Sequence, residues 1–310
     1  MIEVEEMSRR PGRSKGDIPA PLPGKKGFTL VELLIVILLG TVIMGSVVGL
    51  LFMFITNFEI NSDYTAARQR GEMVFTILQE PVLHVSLGMP NTSPDFGNCF
   101  DDPAYDPDLE LSGWNGPLNI INNRELQIAY AIPSGVAAVL EYTFNQGTAE
   151  TIDLAGDISS LGGKISSDNT STTGWVAFPS CGTAFRVVSP YTAGDSSIQL
   201  VSYIDSGIIP FFDELHLVRA LDVKVNNGTF TAEDPTTNES LGQVDGILDI
   251  FFEMDAATDL LTASVLARGD QRYPDLVTPA VLPGWPGGSL SEEMRHYRVS
   301  VLQTSWRVRN

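Results

Sequence analysis

The sequence predicts an α+β protein: a long N-terminal helix, apolar in its first half and amphipathic in its second, packed on an antiparallel β-sheet-rich C-terminal body. Three observations carry this expectation. Phe28 to Phe58 is an apolar run in which Glu32 is the only charge. From Ile60 to Leu78, apolar or small residues recur at spacings of four and three, the period of a helix with one buried face. Beyond residue 120 the chain becomes a series of short β-branched and aromatic runs separated by turn residues.

Residues 1–24 carry Pro11, Pro19, Pro21 and Pro23 among scattered charges, a composition that favours disorder. Met7 is a second candidate start, because the basic stretch begins there. Up to Gly27 there are six Lys/Arg and four Asp/Glu, leaving 13 of the 19 basic and 34 of the 38 acidic residues to the rest. A basic segment before an apolar run follows the positive-inside pattern, with residues 1–27 in the cytoplasm and an acidic body outside. The acidic body argues against nucleic-acid binding, which depends on Lys and Arg neutralising phosphate.

The long helix should begin near Phe28 and run to about Leu83. The 26 uncharged residues after Glu32 suffice to span a bilayer, so 28–58 reads as transmembrane. A cleavable secretory signal would have a shorter apolar core, with small residues after it rather than a glycine before it. Gly45 and Gly49 form a pair at helical spacing that permits close helix approach, although glycine is also simply common in membrane helices. In the second half, Ile60, Tyr64, Ala67, Gly71, Val74 and Leu78 form the stripe, while Asp63, Arg68, Arg70, Glu72, Gln79 and Glu80 occupy mostly other faces. Pro81 should end or kink the helix. The domain reading is therefore 1–27 leader, 28–87 helix and 88–310 body.

In the body, 88–119 reads as a proline-rich loop, followed by strand-like runs such as ELQIAYAI, LHLVRALDVKV and HYRVSVLQTSWRVR. Asn226-Asn227-Gly228 between two such runs is a hairpin signal. The spacing favours antiparallel sheet over βαβ units, and no internal repeat or second-domain linker stands out.

Lys25-Lys26-Gly27-Phe28 followed by Glu32 is the segment that carries chemistry. Gly27 lets a protease bring its catalytic groups close to the backbone, and the basic pair holds the site at the cytoplasmic face. A cut after Gly27 frees an amine on Phe28 at the membrane edge. A carboxylate in a membrane helix is expensive and functional by default. When apolar helices pack side by side, Glu32 of one chain could meet the new amine of a neighbour, a pair that low dielectric strengthens.

GFTLVELLIV resembles the N-terminal signature of type IV prepilins and type II secretion pseudopilins. The resemblance implies cleavage between Gly27 and Phe28 by a membrane prepilin peptidase, N-methylation of Phe28, and Glu32 as the assembly glutamate. It implies a structural protein rather than an enzyme. Its partners would be the peptidase, other pilins through the N-terminal helix, and the inner membrane before assembly. Ala67–Pro90 and the ending Tyr297–Asn310 look like PilW-type minor pilins; GspJ-type pseudopilins also end in a strand with an Arg-Asn tail. The leader is longer than usual for the class, and the large body favours a minor or tip subunit. A secretion pseudopilin is the runner-up. Below it stand a membrane-anchored binding domain, for which no polar constellation is visible, and a DNA-uptake pilin, which the acidic body disfavours.

Cys99 and Cys181 leave two readings open. Outside the cytoplasm they could form a disulfide closing a loop of roughly 80 residues; otherwise they are buried free thiols. They do not resemble the short C-terminal disulfide loop of many major pilins. His84, His216 and His296 are far apart and lack metal-ligand spacing. Asp101, Asp102, Asp106, Asp108 and Glu110 could supply oxygens to calcium but lack EF-hand spacing, so no cofactor is expected and a solvated loop is the plainer reading. Arg268-Gly269-Asp270 reads as a chance turn. Trp114, Trp175, Trp285 and Trp306 read as packing residues, with surface adhesion the alternative. No phosphate-cradling glycine loop occurs in the Walker or Rossmann arrangement.

Overall fold

The computed structural model describes residues 27–91, 93–100, 110–156, 174–188, 195–235 and 239–308. The leader before Gly27, the acidic loop of Asp101, Asp102, Asp106 and Asp108, the Glu110 side chain and the tail Arg309-Asn310 lie outside the described residues. The chain divides into two units, Met1–Thr56 and Asn57–Asn310.

The apolar run and the stripe form one helix, α1, Leu30–Leu83, of 54 residues. Its first half, up to Thr56, has exposed Leu, Ile, Val, Phe and Met on all sides. It is long and apolar enough to cross a membrane. Within the second unit, Ala67, Gly71, Val74, Leu78 and Val82 are buried on one side of the helix. Tyr64 departs from the expected stripe: it is exposed, and Asp63 is buried in its stead. Pro81 sits in the last turn, the helix ends two residues later, and Ser86 turns the chain away at positive φ.

The body contains fourteen strands among the described residues: β1 Leu118–Ile121, β2 Glu125–Ala138, β3 Tyr142–Phe144, β4 Glu150–Ala155, β5 Trp175–Ala177, β6 Ala184–Val187, β7 Ser197–Val201, β8 Gly207–Ile209, β9 Glu214–Asn226, β10 Thr229–Asp234, β11 Glu239–Asp245, β12 Ile247–Asp255, β13 Leu260–Arg272 and β14 Tyr297–Arg307. Every ladder among them is antiparallel. The Asn226-Asn227-Gly228 hairpin forms as expected: Asn226 pairs with Thr229, and Asn227 and Gly228 both take positive φ.

The largest sheet runs β1-β2-β4-β7-β6-β5-β9-β10-β11, and β2 also pairs with β9. That extra pairing closes six strands, β2, β4, β7, β6, β5 and β9, into a ring. Closure requires β2 to change partners. From Leu126 to Pro133 it follows β9; then Ser134–Val136 break the register, with Gly135 at positive φ, and Ala137 and Ala138 pair with β4. Ile152, Leu154, Val176, Phe185, Val187, Ile198, Leu200, Leu215 and Leu217 fill the ring, and Phe144 and Ile209 from the β3–β8 pair complete this core.

Alternation along β9 separates three cores. Leu215 and Leu217 belong to the ring interior; Leu221 and Val223 share their parity and pack under α1 with Val74, Leu78 and Val82. Val218 and Ala220 face the other way, joining Trp175, Ala177 and Ala184 beneath α2, Asp95–Phe100. A separate sheet, β12-β13-β14, contributes Leu261, Ala263, Val265 and Ala267 to the α1 core. Its other face packs Leu266 and Val299 with Trp285 and Leu290.

This layout corrects the disulfide reading. Cys99 and Cys181 are separate thiols. Cys99 lies outside the ring under α2, where its sulfur accepts from the Ala184 amide at 3.0 Å. Cys181 packs against the ring interior, with its thiol near the Ile208 carbonyl at 3.6 Å. The sheet wall stands between them. Burial pushes the Cys99 thiol up to about 11 and the Cys181 thiol up to about 12, so neither is an activated nucleophile. Native labelling with a maleimide should therefore modify Cys181 slowly and Cys99 only after denaturation, and reduction should leave non-reducing gel mobility unchanged. A mobility shift on reduction would contradict this placement.

Three tryptophans, Trp114, Trp175 and Trp285, are buried, and Trp306 packs edge-on against Phe75 at 5.9 Å. Arg268-Gly269-Asp270 is no turn: it lies within β13 against α1.

Candidate functional site

The segment singled out by sequence sits at the start of α1. Gly27 has open space around its Cα, and Phe28 is 83% exposed. Thr29 precedes the first helical residue. Its hydroxyl accepts from the Glu32 amide at 3.3 Å, while the Glu32 carboxylate accepts from the Thr29 amide at 2.9 Å and from the Thr29 hydroxyl at 3.0 Å. This is a reciprocal capping box, with Thr29 at the cap and Glu32 three residues on. It satisfies amides that a helix start would otherwise leave open.

Glu32 was expected to find its partner only on a neighbouring chain. The geometry gives it a first partner within its own chain, Thr29. The signal was available: Thr-x-x-Glu immediately before an apolar run marks a helix start. Glu32 remains exposed while making these bonds, and its second carboxylate oxygen is not used in them. Assembly contact and helix cap are therefore compatible roles.

A second polar cluster fixes the other half of α1. The Asp63 carboxylate, 5% exposed, accepts from the Tyr273 hydroxyl at 2.7 Å and approaches the Gln271 amide at 3.4 Å. The Arg298 side chain donates to the same Tyr273 oxygen at 3.2 Å and stacks over the Tyr273 ring at 4.9 Å. One helical face further on, Arg70 donates to the Arg268 carbonyl at 2.7 Å and pairs with Asp270. Gly269 lies between, so close that an added Cβ would come within 2.7 Å of the Asp63 Cβ. These groups clamp α1 to β13 and β14, so the arrangement positions and does not react. Its one legible trace was a charge at the edge of the apolar stripe.

The other candidates stay apart. His84 Nδ1 lies 3.0 Å from the Glu80 carbonyl, and His296 Nδ1 lies 2.9 Å from the Tyr273 carbonyl. His216 is buried in β9, with Nε2 3.8 Å from Glu214. Among the described residues, no three His, Cys, Asp or Glu side chains gather in a way that could hold a metal ion. The calcium reading falls on the acidic loop outside the described residues.

Residues 22–48 match the family model described as the prokaryotic N-terminal methylation motif. The match takes in Lys25, Lys26, Gly27, Phe28, the capping box and the first half of α1's apolar run. No curated protein and no solved structure matches the chain. The motif and the apolar helix behind it support a type IV pilin-like or pseudopilin-class protein, structural in kind, whose N-terminus suits methylation and membrane anchoring.

Proposed function

We propose that this chain is a minor pilin of a type IV pilus, acting at initiation or at the tip. A prepilin peptidase cuts between Gly27 and Phe28, and Phe28 is N-methylated. Before assembly the chain spans the inner membrane once, with the leader in the cytoplasm and the acidic body outside. Assembly moves α1 from lipid into a bundle of like helices, where Glu32 pairs with the Phe28 amine of a neighbour. The observation that carries this reading is the matched motif lying directly at the capped start of a helix that is apolar and exposed on all sides through Thr56. The runner-up is a minor pseudopilin of a type II secretion system.

Mass spectrometry of the chain recovered from membranes tests the processing. The expected mature N-terminus is Phe28 carrying one added methyl group. An intact leader, or a cut at any other bond, would falsify the processing step. Deleting the gene in the native host separates the two machines. Loss of pili with secretion intact supports the pilus reading, and the reverse result supports the pseudopilus.

A further inference from the structure

We infer that the free edge of β14, together with the groove between it and α1, is a docking site for an extended acidic strand from another polypeptide. Such a strand would be added to β14 as a fourth member of the β12-β13-β14 sheet. This inference does not depend on the processing of the N-terminus.

The case begins with how the other sheet edges are closed. β1 is only four residues long. β11 carries Glu239, Gly242 and Asp245, and its ladder with β10 is broken by a bulge. β12 is capped by the β1–β2 turn: the Phe252 amide donates to the Asn123 carbonyl at 2.8 Å, the Asn123 side chain donates back to the Phe252 carbonyl at 3.1 Å, and Arg124 pairs with Asp249 at 3.1 Å. Short length, acidic charge, bulges and covering turns are the usual defences of an edge strand. β14 itself is long, the slip in its ladder with β13 falls between Arg268 and Arg272 at one end, and its charges, Arg298 and Arg307, lie near its two ends. It is 11 residues long, contains no Pro, Gly, Lys, Asp or Glu, and among the described residues no strand pairs with its outer side.

Beside that edge is a groove of about 420 Å³. Arg68, Glu72 and Phe75 of α1 form one wall, at helical spacing, and Ser300, Leu302 and Thr304 of β14 form the other. Leu302 is held in place by Gly71, whose missing side chain leaves room for the leucine methyls. An added strand would gain main-chain bonds from β14 and lay alternate side chains into the groove, as in β-strand addition generally.

Charge selects the occupant. The chain as a whole carries a net charge of −19, yet from His296 to its end it has three arginines and no acid. Arg298 and Arg307 sit near the two ends of β14; on the groove wall Arg68 pairs with Glu72 at 2.8 Å, both side chains exposed, a surface pair weak enough for an incoming carboxylate to share the guanidinium. A strand with carboxylates towards its ends is complementary to this layout, and a lysine-ended strand is not.

Hydrogen exchange by mass spectrometry on the full chain in detergent micelles tests the inference. The probe is the synthetic peptide acetyl-Glu-Thr-Val-Thr-Val-Thr-Glu-amide, compared with its Lys-ended counterpart and with a version whose central Val is Pro. We expect the acidic peptide to slow exchange of about three further amides in Arg298–Trp306, because every second residue of an edge strand points outward. The Lys-ended peptide should bind at least about tenfold more weakly, and the Pro peptide should give no protection. In the double variant Arg68→Glu/Arg307→Glu, both sites being exposed, the preference between acidic and Lys-ended peptides should reverse. Equal binding of the two peptides to the parent chain, or no protection of β14 by either, overturns the inference. So does protection that appears without peptide as protein concentration rises, because the edge would then be filled by a second copy.

Discussion

Glu32→Gln is expected to leave the chain processed and helical at its start, yet to reduce its incorporation into filaments on the order of a hundredfold. On the proposed function two roles meet on this side chain, the helix cap and the interchain pair, and the substitution separates them. In a capping box Gln replaces Glu, since an amide oxygen can still accept from the cap residue's N–H. The bonds from the Thr29 amide and hydroxyl, at 2.9 and 3.0 Å, would therefore survive. What disappears is the negative charge, and with it the pair with a neighbour's Phe28 amine. Removing one member of a buried charge pair leaves the other uncompensated and is strongly unfavourable. Thr29→Ala is the mirror experiment. It deletes the cap hydroxyl and frays the first turn but keeps the carboxylate, so incorporation should fall only a few-fold, in line with the modest worth of a cap. Processing is followed by the mass of the membrane-bound chain, and incorporation by the amount recovered in sheared filaments. Should Glu32→Gln assemble like the parent while Thr29→Ala does not, Glu32 is a helix cap alone and the interchain pair has no part in assembly.

This comparison shows where the sequence was legible and where it was not. The helix was readable because its signals are local: the uncharged run from Leu33 to Phe58, then Ala67, Gly71, Val74 and Leu78 at spacings of four and three. The same holds for the Asn226-Asn227-Gly228 turn, whose residue types fit the positive φ values found there. Ring closure was not readable. It rests on β2 pairing with β9 across some ninety residues and on β5 and β6, three and four residues long, too short to show a period. The choice between the two cysteine readings was closed to the sequence for the same reason, because only the closed ring reveals that Cys99 and Cys181 lie on opposite sides of a wall. At the N-terminus, Gly27, Phe28 and Glu32 are marked by local sequence, and the Thr-x-x-Glu spacing that makes Thr29 the cap is equally local.

Asp63, a charge that the helical period sets off the apolar stripe but the structure buries, yields the largest expected effect on stability. Gly269→Ala should destabilise the body more than Asp63→Ala does. Asp63→Ala removes the carboxylate that accepts from the Tyr273 hydroxyl at 2.7 Å, a bond to a charged group worth about 1.5–3 kcal/mol. For a unit of this size that corresponds to a fall in Tm of roughly 3–12 °C. Gly269→Ala loses the same bond by another route. Its new methyl would lie 2.7 Å from the Asp63 Cβ and 3.1 Å from the Asp63 Cα, the latter a helix backbone atom that has no rotamer to escape into. Helix and strand must separate, adding an overpacking cost of about 1–3 kcal/mol and loosening the neighbouring Arg70 contacts with Arg268 and Asp270. The two sites are therefore coupled. In an Asp63→Gly background the 2.7 Å Cβ clash and the Tyr273 bond are both gone and only the 3.1 Å approach to the Cα remains, so Gly269→Ala should cost less there, and the double-mutant cycle should show an interaction energy of about 1–3 kcal/mol. Thermal melts of the detergent-solubilised chain, followed by circular dichroism, supply all four corners. If Gly269→Ala melts within a degree of the parent, α1 is not clamped to β13 at this point. If the effects simply add, the clamp is two independent contacts, and the burial of Asp63 has some reason other than fixing the helix to the sheet.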